Sequence, residues 1–419
     1  MADSSATQDR QTAARNQTVV VCLVGFLDLF GVSMIMPLIQ THAKHLGASP
    51  AVAGLVGSVY GFLQLFSSPI MGKCSDLVGH RLALMVSLAL SGGGYILLGL
   101  STSIVCLALA RIPSGLFKHS QTISKAYLAE VIPPEKRALV YGRFNAFSSI
   151  GFIVGPTVGG HLAEVSSSGF FWVGLLAGSV FLTSSVLVYM YLVIPVTKRL
   201  PLKDSSTSNS FEDDSVKLGK PKCQTLSIIQ IFQSFENVIR PDLWSIFLTR
   251  FLVGFSFLLL RTNYTRLLIE NFNTSPRTNG YVISVSSIMG TISGFYVGQI
   301  SHFCGGDAKS ILPMTVLLFV GVCGLMSAPN LVVFSVFQAP LSVCSAVLRV
   351  AFLSVMLQRV RPADTGILMG LLQSFTSISR TVTPLLSGLL LEINPQGPIL
   401  GSAIINLAAI MSLILTNKQ

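Results

Sequence analysis

The sequence predicts an all-α membrane protein of twelve transmembrane helices, built as two six-helix bundles in parallel repeat with both termini cytoplasmic. Three observations carry that reading. The 419 residues are 51% hydrophobic and only 11% charged, against about 25% charged in an average soluble domain. Twelve apolar runs approach the roughly 20 residues needed to cross hydrocarbon; they lie near 18–38, 51–71, 82–100, 104–126, 139–161, 170–194, 243–265, 281–300, 311–328, 331–357, 366–391 and 398–415. One long polar stretch, Val196 to Asp242, divides these runs six and six.

In chain order, residues 1–17 form a polar cytoplasmic tail without the short apolar core of a cleavable signal peptide, so the first span directs insertion. Residues 18–195 hold the first bundle. Residues 196–242 are a cytoplasmic linker, rich at first in Ser, Lys and Asp. Its later part, TLSIIQIFQSFENVI, sets Ile228, Ile231, Phe232, Phe235 and Ile239 on one helical face. Such a face suits a helix lying on the membrane surface or one docked on the solvent side. Residues 243–416 hold the second bundle and residues 417–419 a short cytoplasmic tail.

Orientation follows from the basic residues. With both termini cytoplasmic, only Lys44, Arg266 and Arg277 fall in connectors on the far side, as the positive-inside rule requires. The net charge of +11 is therefore a topology signal and excludes a nucleic-acid footprint, since no basic groove with stacking aromatics is present. Seven scattered cysteines form neither a disulfide framework nor a zinc site. The connectors hold no catalytic triad, metal cluster or nucleotide loop, so neither an enzyme nor a cofactor is indicated. The expected partners are the lipid bilayer and a small molecule, and the expected state is a monomer.

The two halves repeat. An offset of 228 residues aligns Gly142 with Gly370, Phe147 with Phe375, Pro156 with Pro384, Gly160 with Gly388 and Glu164 with Glu392. Span five thus has a degenerate partner in span eleven. A second echo sets GKCSDLVGHR (72–81) against GQISHFCGGD (298–307), sharing Gly72/Gly298 and Gly79/Gly305.

Three motifs then point to a family. The loop after span two carries Gly72, Asp76, Gly79 and Arg81. Span five carries Gly142, Gly151, Gly155-Pro156 and Gly159-Gly160, and span one reads LDLFGVSMIMPL. This pattern resembles the major facilitator superfamily over nearly the whole chain, and within it the tetracycline-resistance-like branch of drug:proton antiporters. The loop departs from the family's pattern at Cys74, Leu77 and His80, and the second-half copy has His302 in place of the acid. The resemblance implies secondary transport of a small molecule through a central cavity lined by spans one, four, seven and ten. It implies that Asp76 forms a cytoplasmic latch by capping a neighbouring helix or pairing with a cation, and it gives span five a role in gating.

Ionisable groups inside a span cost at least about 2.5–3.5 kcal/mol each and mark function by default. Asp28 is the only deep acid; two roles fit it, a proton or cation site and a structural partner for a buried base. Arg111, Lys118 and Lys125 recur every seven residues in span four, on one helical face. Arg111 reads as structural, and Lys125 as a residue that snorkels. Lys118, beside His119, either pairs with Asp28 or faces the cavity. Spans seven and ten add Arg250, Arg261 and Arg349, and span eleven adds Arg380. One acid against several bases points to an organic anion, with Lys118, Arg250 and Arg349 as binding candidates. Asp28 and His119 are the candidate proton carriers, while an uncoupled facilitator or an anion exchanger fits the shortage of acids equally well. A sensor or scaffold on the same fold is the rival class. The glycines of span five should form a smooth seam against span eight of the opposite bundle and stay clear of substrate.

Overall fold

The structure, a computed structural model, describes residues 2–166, 168–192, 241–262, 264–360 and 365–416. The predicted linker helix over 225–239 lies outside the described residues, as does most of the 196–242 linker. Fifteen helices are present among the described residues: α1 (Ala2–Ile35), α2 (Leu38–His45), α3 (Pro50–Val78), α4 (His80–Gly99), α5 (Ile104–Phe117), α6 (Ser120–Val131), α7 (Pro134–Glu164), α8 (Gly169–Tyr191), α9 (Pro241–Thr262), α10 (Tyr264–Phe272), α11 (Pro276–Phe303), α12 (Asp307–Met326), α13 (Leu331–Arg359), α14 (Thr365–Ile393) and α15 (Gly397–Thr416).

Ten segments among the described residues are long and apolar enough to cross a membrane. The two predicted spans outside that set have physical reasons. Span four is broken into α5 and α6, and span eleven, α14, is 29 residues long but carries Arg380 and Glu392. Buried apolar side chains gather in two large separate clusters, one running from Val21 to Leu192 and the other from Leu243 to Ala409. Each half therefore has its own core.

The repeat is visible in local geometry. Ser49 and Ser275 cap the helices α3 and α11, accepting from the backbone N–H of Val52 and Thr278 at 3.3 Å each. In both, proline follows at the first helical position, where its missing N–H and fixed φ are tolerated. At the opposite ends of these helices Gly79 (φ +92°) and Gly305 (φ +85°) take left-handed conformations that glycine adopts without a Cβ clash.

The bundles meet through two repeat-related seams, α3 with α14 and α7 with α11. A Cβ on Gly54 would collide with the Pro384 carbonyl oxygen, and one on Gly280 with that of Pro156. Likewise Gly388 sits against Pro50 and Gly160 against Pro276. Small residues let helix backbones approach this closely in lipid. At each seam's end a glutamate crosses to the other bundle. Glu164 Oε1 accepts the N–H of Arg277 at 2.8 Å, and Glu392 Oε1 accepts that of Ala51 at 3.2 Å. These N–H groups lie in the first turns of α11 and α3, where helices leave donors unpaired and carry partial positive charge. Lys44 and Glu270, 3.5 Å apart, add a third crossing. All of these contacts lie at the end away from the chain termini. Towards the terminal end Gly72, Gly142, Gly294 and Gly298 have no neighbour within 4 Å of a Cβ, so the bundles part there.

The glycine seam of span five differs from expectation. Gly151, Gly155 and Gly159 pack on α1, at Phe26, Ser33 and Met34, inside their own bundle. Of the motif's glycines and proline, Gly160 and the Pro156 carbonyl are the ones that meet α11 of the other bundle. The reason is helical phase: positions 151, 155 and 159 share one face, and that face turns to span one. Replacing Gly151 by Val should force α1 and α7 apart and destabilise the fold by about 1–3 kcal/mol, the usual range for overpacking. Thermal unfolding of the purified variant checks this; an unchanged melting temperature contradicts it.

Candidate functional site

Span four breaks at Lys118 (φ −75°, ψ 69°) and His119 (φ −120°, ψ 12°), between α5 and α6. A break inside a membrane leaves carbonyls that must find donors within the protein. Ser67 Oγ donates to the Gly115 carbonyl at 3.1 Å, Gln64 Nε2 to that of Lys118 at 3.3 Å, and Ser87 Oγ to that of Phe117. The polar residues scattered through the apolar spans two and three thus serve this break. His119 Nε2 lies 2.8 Å from Ser67 Oγ.

The broken segment turns Lys118 and the start of α6 onto Asp28. Lys118 Nζ lies 2.5 Å from Asp28 Oδ1, Ser120 Oγ donates to the same oxygen at 2.5 Å, and Gln121 Nε2 donates to Oδ2 at 2.9 Å. Asp28 is 1% exposed and Lys118 8%. The Lys118 ammonium also stands 5.0 Å from the centre of the Phe181 ring, an attraction to the ring face. Every oxygen of the only deep acid is engaged. Of the two roles open to Lys118, pairing with Asp28 is the one the structure shows.

A cavity of 880 Å³ lies between the bundles, beside this brace. Its wall is asymmetric. The first bundle contributes Leu29 and one face of α7 (Gly142, Asn145, Ala146, Ser149 and Phe152), while the second contributes residues of α9, α11, α12, α13 and α14. Four arginines line it, Arg250, Arg261, Arg349 and Arg380, and the lining holds no Asp or Glu. Arg250 Nη1 points at the Arg349 carbonyl oxygen, 3.5 Å away. Arg380 Nη1 donates to Gln64 Oε1 at 2.8 Å across the bundle interface. The Arg261 guanidinium stands 5.2 Å from the centre of the Phe152 ring of the first bundle. Arg349 is exposed to the cavity, and no hydrogen bond or ion pair engages its guanidinium among the described residues.

Several expected placements change. Span four contributes nothing to the cavity lining, because its break turns Lys118 and His119 inward on spans one and two. Asp28, Lys118 and His119 are absent from the wall, whereas Arg250 and Arg349 are on it. Arg261, not among the binding candidates read from the sequence, also belongs to the wall. Gly142, expected to stay clear of substrate, lines the cavity because the face of α7 that carries it has nothing packed against it. Arg111 stacks over Tyr60 of span two, 5.2 Å from the ring centre, and its Nε has no hydrogen-bond partner among the described residues. In the loop after span two, Asp76 is solvent-exposed and faces only His80, at 3.8 Å. The expected latch, a capped neighbouring helix or a Lys or Arg partner for Asp76, is absent among the described residues. Arg81 instead donates to the Tyr189 carbonyl at 2.5 Å within its own bundle. Gln64, Ser120 and Gln121 were not legible as site residues; a cluster of polar side chains at one level of three apolar spans is the signal that finds them.

Two helical bundles with separate cores and a charge-lined cavity between them define a membrane transporter rather than an enzyme. Residues 21–302 and 246–419 match the Major Facilitator Superfamily, and the chain belongs to that superfamily. It is 25% identical over 379 residues to solute carrier family 22 member 18 of Rattus norvegicus, covering 89% of this chain and 87% of that protein. The fold matches the crystal structure of the human organic anion transporter MFSD10 (TETRAN) with a TM-score of 0.65 at 22% identity, covering 96% of this chain and 99% of that one. It also matches a bacterial homologue of the human lysosomal transporter Spinster, solved inward-facing and unoccupied, with a TM-score of 0.72 at 14% identity over 96% and 95% of the two chains.

Removing one member of a buried ion pair leaves an uncompensated charge and costs about 3–5 kcal/mol. Asp28→Asn is therefore expected to destabilise the protein by that order, and the double variant D28N/K118M to recover much of the loss. Thermal unfolding of the three proteins checks this; a double variant no more stable than D28N contradicts the brace.

Proposed function

We propose that the protein moves small organic anions across the membrane by alternating access, and that Arg250 and Arg349 bind them. The observation that carries this is four arginines and no acid on one cavity wall. Guanidinium groups stay charged in proteins, and each costs at least about 2.5–3.5 kcal/mol at the bilayer centre. A carboxylate about 6 Å from one of them gains roughly 3 kcal/mol at an effective dielectric constant near 20. An anionic ligand therefore offsets a burden that the protein's own side chains leave standing. Arginine also suits carboxylate and phosphate recognition through paired N–H groups. The likeness in fold to a structure described as an organic anion transporter agrees with this choice. Twelve spans with both termini in the cytoplasm complete the reading.

With that topology the seams closed by Glu164 and Glu392 face outward and the cavity faces the cytoplasm. The state is inward-facing, and both glutamates must leave their helix ends in every cycle. The span-five motif that resembles drug:proton antiporters serves this motion through Gly160 and Pro156. Proton coupling through Asp28 has little support in the geometry, because Asp28 and His119 are held in the span-four brace away from the wall. A facilitator or anion exchanger is the form of transport we favour. The rival sensor reading lacks a reason for charge on the wall of an 880 Å³ cavity.

Uptake of a panel of labelled aromatic and aliphatic carboxylates into proteoliposomes tests the proposal. Arg349→Gln is expected to lower uptake of every transported anion at least tenfold, and an imposed pH gradient to leave the initial rate unchanged. Unaltered uptake by R349Q overturns the site, and gradient-driven accumulation overturns the uncoupled form. A second experiment reads the gate. In a background without other accessible cysteines, a Ser149→Cys reporter should gain labelling from the outer side when E164Q and E392Q are combined. Unchanged labelling contradicts the role of the glutamates.

A further inference from the structure

Along α9 the cavity wall carries charge at two levels with an apolar stretch between them, while Arg380 of α14 is already held by Gln64 of the first bundle. Arg250 and Arg261 lie eleven residues apart on the continuous helix α9, about three turns, so they point to the same side and stand roughly 16 Å apart along the axis. Between them the same face presents Gly254, Phe257 and Leu258 to the cavity. At the lower level Arg349 stands beside Arg250, whose guanidinium reaches its carbonyl. At the upper level Arg261 stacks on Phe152, across the bundle interface. A single small carboxylate reaches one of these levels and leaves the other without a partner.

Resting on the anion reading above, we infer that the preferred substrate is an elongated dianion: a rigid or extended apolar body, aromatic by the company of Phe152, Phe251 and Phe257, with an acidic group at each end. One group lies between Arg250 and Arg349; the other meets Arg261. The apolar body fills the stretch past Gly254, where the absence of a side chain leaves room. Because Arg261 touches the first bundle through Phe152 while Arg250 and Arg349 belong to the second, the upper acid also contacts the interface that must open. Chain length between the acids is then a specificity determinant, and Arg261 is the residue that reads it.

A matched set of aromatic acids tests this with the purified full chain. Terephthalate and the biphenyl and terphenyl dicarboxylates, with acids at opposite ends, are compared with benzoate and the corresponding mono-acids by ligand-induced thermal stabilisation. The biphenyl or terphenyl dicarboxylate is expected to bind at least tenfold more tightly than its mono-acid, with terephthalate showing no such advantage. Arg261→Gln should collapse that ratio towards one, and Arg261→Lys should keep most of it. Equal binding of dicarboxylate and mono-acid at every length overturns the dianion while leaving the anion reading standing. Failure of every acid to bind overturns both. A dicarboxylate preference that survives R261Q intact overturns the assignment of the second pole to Arg261.

Discussion

In hydrocarbon a charge that meets no counter-charge must answer to water or to a ligand, and this chain has only one deep acid to offer its bases. Asp28 takes Lys118, and the pair is closed further by Ser120 and Gln121. That leaves Arg250, Arg261, Arg349 and Arg380 without a carboxylate among the described residues, and the fold gathers all four on one cavity. The division of labour follows directly. The first bundle uses its charges to build itself, around a helix break whose carbonyls are satisfied from spans two and three. The second bundle keeps its deep arginines for the cavity.

The repeat shows why the cavity lies on that side. Where α7 has Gly151, Gly155 and Gly159 and closes tightly on α1, α14 has Ser379, Thr383 and Ser387 in the corresponding places. Ser387 Oγ donates to the Leu259 carbonyl of α9 at 3.2 Å, so α14 stands off α9 by a side chain instead of touching it backbone to backbone. Arg380 of α14 lines the same cavity as Arg250 and Arg261 of α9. The bundle interface obeys the opposite rule: Gly54 and Gly280, and Gly160 and Gly388, keep the smooth surface in both halves, as the proposed transport cycle requires of two seams that open together. Glu164 and Glu392 end those seams on helix N-termini of the opposite bundle. A carboxylate on a helix end is a directional but weakly committed contact, suited to a gate that is broken and remade.

Much of this was legible in the sequence. The two bundles, the span order and the excess of deep bases follow from composition, spacing and the offset of 228 residues. So did the pairing of Glu164 with Glu392, though their role did not: a matched acid at two span ends becomes a latch only when the facing helix N-terminus is known. The span-four break was hidden because Arg111, Lys118 and Lys125 keep a seven-residue rhythm that an unbroken helix would also keep. The direction of the span-five seam was hidden for a related reason. A glycine stripe states that something approaches closely, and only packing states whether the neighbour belongs to the same bundle.

The central claim is that the arginine-lined cavity is an anion site. Its most direct test is a structure of the full chain determined with an iodinated aromatic carboxylate, whose iodine marks the ligand by anomalous scattering. The account predicts an iodine peak inside the cavity with the carboxylate against Arg250 and Arg349. A peak elsewhere, with the cavity vacant at saturating ligand, contradicts it.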